Sequence, residues 1–183
     1  MENLMAGTYE MSIGDVLVPA SLLGDLSPNY DEATAEANTQ AGTRTIPLGK
    51  PATAELTFTL YLPSIDYLKT LWEEAYNAPT SPQATGNIIF GKGSCETRTP
   101  LPINIHNVCE DTDDNDIFIY GAIIKQTFNP NLSAGEVASI ECTAYMQPTE
   151  NGYIRLGTGN LTAPSHYDTA TESTVINSDE SES

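Results

Sequence analysis

The sequence predicts a mainly β domain with one α-helix. Three observations carry this. Several segments alternate apolar and polar residues with period two, as half-buried strands do. One segment, and one only, spaces its apolar residues three and four apart. Short stretches rich in proline, glycine and asparagine, such as NPNLSAGE and Asn151-Gly152, separate the periodic segments.

Taken in order, the first element of note is segment 25–44, DLSPNYDEATAEANTQAGTR. It is polar, rich in small residues and reads as a long loop. Loops of this length are usually functional or mobile. AELTFTLYL follows, with Leu56, Phe58, Leu60 and Leu62 on one face and Glu55, Thr57, Thr59 and Tyr61 on the other. Pro63 and Ser64 then stop the strand, and Ser64 is a natural N-cap. Ile65, Leu68, Trp72 and Tyr76 make the apolar stripe of a helix, and NAPTSPQATG ends it. Asp66 stands in the first turn, where the helix dipole favours a carboxylate.

NIIFGKG reads as a short strand, and PLPINIHNVCE and DIFIYGAIIKQTF as two longer ones. The last is apolar on both faces, with Ile117, Ile119 and Ile123 on one and Phe118, Tyr120, Ala122, Ile124 and Phe128 on the other. Such a strand is covered twice within its own domain, or its second face meets a partner. EVASIECTAYMQ alternates again and turns Ala138, Ile140, Cys142, Ala144 and Met146 inward. GYIRLG is a short final strand. The chain therefore divides into one domain over residues 1–160 and an acidic tail over 161–183. The tail, lacking Lys and Arg, is expected to stay solvated.

The 183 residues are 39% hydrophobic, which suits one domain with a real core. The formal net charge of −18 excludes a protein that holds nucleic acid by neutralising phosphates. The N-terminus has neither the basic nor the apolar region of a secretory leader. No apolar run approaches the roughly 20 residues that span a bilayer. Cys95, Cys109 and Cys142 are odd in number and form no CxxC pair, which fits a reducing cytoplasm. Without a route to secretion, the sequons at Asn131 and Asn160 carry no meaning.

Two stretches invite a chemical reading and fail it. VCEDTDDNDIFIY looks like a calcium loop, and Asp111, Asp113 and Asn115 fit its first, third and fifth positions. The sixth position needs Gly and holds Asp116, while the twelfth needs Glu and holds Ala122. An Asx-rich turn between two strands is the better reading. GNIIFGKGS offers Gly86, Gly91 and Lys92 to a phosphate-binding pattern, but Gly93 stands where Ser or Thr should hold magnesium. Ile88, Ile89 and Phe90 favour a strand there. His106 and His166 pair with no cysteines at zinc-ligand spacing, and His106, on the polar side of INIH, is expected to be exposed. No catalytic, cofactor-binding or metal-binding residue is assigned.

The order of elements, with ELTFTLYL, then SIDYLKTLWEEAY, then GEVASIECTAYMQPTENGYIRLG, resembles the major tail tube proteins of long-tailed phages with non-contractile tails. The resemblance spans residues 6–159. It implies an antiparallel β-sandwich flanked by a single α-helix. It also implies self-assembly into rings, commonly hexameric, that stack into a tube through which DNA passes without specific binding. A similar fold occurs in the tubes of contractile tails and of type VI secretion. Partners would be further copies of the chain and other tail proteins, with no membrane involved. The protein would be made in the host cytoplasm and end in the virion tail. The two-sided strand and the long loop are then the expected subunit contacts, through Ile117, Ile119, Ile123, Asp25, Tyr30 and Arg44. The rival reading is a monomeric β-sandwich binding module, a carbohydrate-binding or virion-decoration domain, using Tyr61, Tyr145 and Tyr153.

Overall fold

In the computed structural model, residues 7–61, 65–82, 84, 86–91, 98–109, 115–130 and 132–157 are described. The strands are β1 (Tyr9–Ile13), β2 (Val16–Val18), β3 (Leu23–Thr39), β4 (Gly42–Tyr61), β5 (Tyr76–Asn77), β6 (Asn87–Ile88), β7 (Leu101–Asn107), β8 (Ile117–Ile124), β9 (Ser139–Met146) and β10 (Ile154–Leu156). One helix, α1 (Ile65–Leu71), lies between β4 and β5. The fold is mainly antiparallel β with a single short helix, as the sequence predicts.

Eight strands form one antiparallel sheet in the order β2-β1-β7-β8-β9-β4-β3, with β10 added beside β8. The sheet curls. Near its two ends, β1 and β3 approach within 8 Å between Cα atoms. Met11 and Ile13 of β1 therefore share one core with Leu56, Phe58 and Leu60 of β4 and with Ile140 and Cys142 of β9. The two layers are thus halves of one hydrogen-bonded sheet. Leu68, Leu71, Trp72 and Ala75 from the helical side join the same core.

The alternating strands fold as their patterns require. Leu56, Phe58 and Leu60 pair with Ala144, Cys142 and Ile140, so both inward rows meet across the β4–β9 ladder. In β8 the pattern breaks. Ile119 pairs with Ile103, but Ala122 pairs with Leu101, so β8 carries one extra residue against β7. This bulge at Tyr120-Gly121 reverses which side chains point inward. Ile119, Ala122 and Ile124 lie in the core, while Ile123, opposite the exposed Tyr145, lies on the outer face. The single row Ile117, Ile119 and Ile123 read from the sequence does not exist.

The helix also departs from expectation. Its apolar stripe continues to Tyr76 in sequence, yet α1 ends at Leu71 and a 3-10 turn follows at Glu73–Ala75. Trp72 leaves helical geometry with φ −138° and ψ 63°. Its indole N–H then donates to the carbonyl of Lys125 at 3.1 Å, and Tyr76 begins β5.

Segment 25–44 is not a loop. It belongs to a long two-stranded ribbon in which β3 pairs with β4 from Leu23↔Leu60 to Thr39↔Gly42. Residues with small side chains that tolerate extended backbone, Ala and Thr, fill it, and the cross-strand ladder satisfies its backbone groups. At the tip Gly42 takes φ +115°, and the Thr39 hydroxyl donates to the Gly42 carbonyl at 2.8 Å.

The Ser64 cap, the loop at Lys92 and Gly93, Cys95, Asp111, Asp113, Asn131, and the chain from 158, including Asn160, His166 and the acidic tail, lie outside the described residues. Among the described residues no helix is long and apolar enough to cross a membrane.

Candidate assembly surface

The ribbon changes character along its length. At its root, residues 55–61 of β4 pair with β9 on their other edge. Beyond Ala54, β3 and β4 pair only with each other among the described residues. From Asp31 to Thr39 this projection is about 30 Å long at the usual strand rise. An isolated two-stranded ribbon is marginal in water because it buries so little.

Its side chains make the point sharper. Ala35 pairs with Ile46 and Ala37 with Arg44, so these four share one face. Ile46 is 47% exposed, and Leu48 is similarly open. Between Glu32↔Pro51 and Thr34↔Pro47, β4 accommodates extra residues, and Gly49 takes φ +66° there. The Gly49 N–H donates to the Glu32 carboxylate at 3.0 Å, which fixes the bulge. The result is a stiffened arm with a flat alanine floor and one apolar ridge, facing solvent.

The expected contact residues scatter. Asp25 and Tyr30 are exposed near the ribbon root, with the Tyr30 ring 5.7 Å from that of Tyr153 and tilted 45° to it. Arg44 lies near the tip, on the alanine face. Ile119 is 0% exposed and already spent on the core, and Ile117 packs against it from the edge. Ile123 alone of the three isoleucines turns outward. Ile46 and Leu48, the most apolar side chains of the arm, were not among the expected contacts. Two bulky aliphatics in so polar a stretch were the available signal.

The outer face near β1 and β7 holds a buried polar cluster. His106, expected to be exposed, is buried at 6%. Its Nδ1 lies 2.7 Å from Asp116 Oδ1, and Asn104 donates to Asp116 Oδ2 at 2.8 Å. The backbone N–H of Gly157 also reaches the Asp116 carbonyl at 2.7 Å. Asp116 thus anchors the start of β8 with both carboxylate oxygens engaged. Among the described residues no group of three or more His, Cys, Asp or Glu is arranged to hold a metal.

The tyrosines of the rival reading do not form a platform. Tyr145 pairs with Glu55, whereas Tyr61 stands six residues further along β4. That separates them by roughly 20 Å. Tyr153 is occupied by Tyr30.

No family model matches the chain, and no curated protein matches it. Solved structures do. The anti-feeding prophage cap, a tube-terminating cap seen by cryo-EM, aligns with TM-score 0.58 at 14% identity, covering 86% of this chain and 93% of that one. The chain shares its fold. The PVC sheath/tube terminator of an extracellular contractile injection system aligns with TM-score 0.51 at 14% identity over 80% of this chain and 92% of that one. A chain of the PVC sheath-tube complex aligns with TM-score 0.50 at 15% identity, over 81% and 88%. The two PVC structures come from an extracellular contractile injection system, and the narrower expectation of a non-contractile phage tube finds no specific support in these three structures.

Proposed function

We propose that this chain is a structural subunit of a phage-like tail, which assembles with further copies of itself into stacked rings around a channel. The observation that carries the reading is the projecting ribbon. An arm of about 30 Å with Ile46 and Leu48 exposed is costly to leave bare, and beyond Ala54 it pairs with no other strand among the described residues. The fold it projects from is shared, over most of both chains, with components of tail-like injection machines. The chain's charge of −18 fits a conduit, since a polyanion slides past carboxylates without sticking. The reading involves no catalytic step.

A second reading has its own observation. The tube-terminating cap of the anti-feeding prophage aligns over 93% of its length, which supports a position at the end of a tube instead of along it. The readings differ in growth. A tube subunit stacks without limit, and a terminator stops after one ring. Light scattering over a concentration series tests both: mass that rises with concentration supports the tube, a fixed ring mass supports the cap, and monomer mass throughout contradicts both.

A further inference from the structure

The arm is regular at both ends and broken in between. Toward the tip, Thr34↔Pro47 to Thr39↔Gly42 pair in unbroken register, and the Thr43 hydroxyl donates to the Asn38 side-chain carbonyl at 2.8 Å. Toward the body, Leu26↔Phe58 to Asp31↔Thr53 pair as regularly. Between these stretches the strands do not match. From Asp31 to Thr34 is three steps (34 − 31), but from Pro47 to Thr53 is six (53 − 47), so β4 carries three extra residues. At the usual rise the two paths would span about 10 and about 20 Å, so β4 must leave the ladder and loop out.

The composition of this break is that of a joint. Pro47 and Pro51 border it and have no N–H to give to β3. Their fixed φ leaves backbone rotation to the residues between them, Leu48, Gly49 and Lys50, all exposed. Gly49 takes φ +66°, and a Cβ there would meet nothing within 4 Å, so packing does not hold it. On β3 the residue opposite is Ala33, too small to wedge the break. Across it runs the hydrogen bond from the Gly49 N–H to the exposed Glu32 carboxylate at 3.0 Å. We infer that residues 48–50 are a hinge latched by Glu32, about which residues 34–47 swing as an intact hairpin. Rotation confined to a few residues lets a paired element change direction without unpairing. The hinge belongs to the single chain and stands whether or not copies assemble.

The test measures spin-label distances in the full chain by double electron–electron resonance, with labelled protein diluted into unlabelled wild type. One pair joins the tip to the body: Ala41→Cys and the native, exposed Cys109, with Cys95→Ser. A second pair lies within the outer arm: Ala41→Cys and Thr34→Cys, with Cys95→Ser and Cys109→Ser. Cys142 is buried and stays unlabelled. Glu32 is exposed, so Glu32→Ala is expected to leave the thermal transition in place. With the latch intact the tip-to-body distances should form one narrow distribution. Glu32→Ala should broaden it about twofold or more, while Glu32→Gln, which keeps an acceptor oxygen, should hold it near the original width. The distance within the outer arm should stay narrow in all three proteins. A tip-to-body distribution that is already broad with Glu32 in place, or that Glu32→Ala leaves unchanged, overturns the latch. Broadening within the outer arm as well would mean that the hairpin frays, and overturns the hinge.

Discussion

Cys142 is the clearest case of one residue set by its surroundings. It faces inward from β9, pairs with Phe58 and is fully buried. Burial, and secondarily the neighbouring Glu141 carboxylate, push its thiol from the ordinary 9.0 up to about 12. The unfolded chain therefore ionises this thiol at lower pH than the folded one. Its contribution is fully present below pH 9 and is lost as pH rises toward 12. A denaturant midpoint followed from pH 8 upward should fall, and Cys142→Ala should flatten that fall. At pH 8 a disulfide reagent is expected to label the exposed Cys109 and to spare Cys142 until the protein unfolds. Trp72 makes a second residue-scale prediction. Its truncation to Ala removes a large buried ring and leaves the Lys125 carbonyl without its donor, so it should cost about 3–5 kcal/mol in a urea titration.

At the scale of elements, legibility followed burial. β4 and β9 could be read because one face of each is buried and the other is not, so polarity alternates along them. The ribbon could not, since neither of its faces is buried and nothing in its polarity marks period two. The expectation that this segment meets another subunit came from its length and composition, and named Asp25, Tyr30 and Arg44. The exposed aliphatics of the arm, Ile46 and Leu48, lie just past the boundary drawn at Arg44. The β8 bulge was invisible for the opposite reason. Every side chain there is apolar, so no residue reports a change of face. Trp72 fits the helical stripe whether or not the helix continues, and only the tertiary hydrogen bond to Lys125 decides.

Those differences make element-scale predictions. Ile119 and Ile124 straddle the bulge and both lie in the core, so Ile119→Asp and Ile124→Asp should each unfold the domain, as seen by loss of the cooperative thermal transition. A buried, unpaired carboxylate costs several kcal/mol against a total stability of about 5–15. Ile46→Asp should leave that transition in place. In the arm, amides over residues 31–53 should exchange rapidly in the free subunit, because their hydrogen bonds are open to water. Assembly should slow them by about tenfold or more. Equal exchange in both states would mean that no neighbour covers the arm.

For the whole molecule, the proposal is that a curled sheet with a projecting, exposed arm is a building unit. Under the proposed assembly, the charge of −18 would keep free subunits apart and make a channel unattractive to a polyanion. The most direct measurement is electron microscopy of the purified full-length chain across a range of concentrations. The account predicts rings with rotational symmetry that stack into hollow tubes. Rings that never stack would favour the terminator. Isolated single subunits at every concentration would contradict the account.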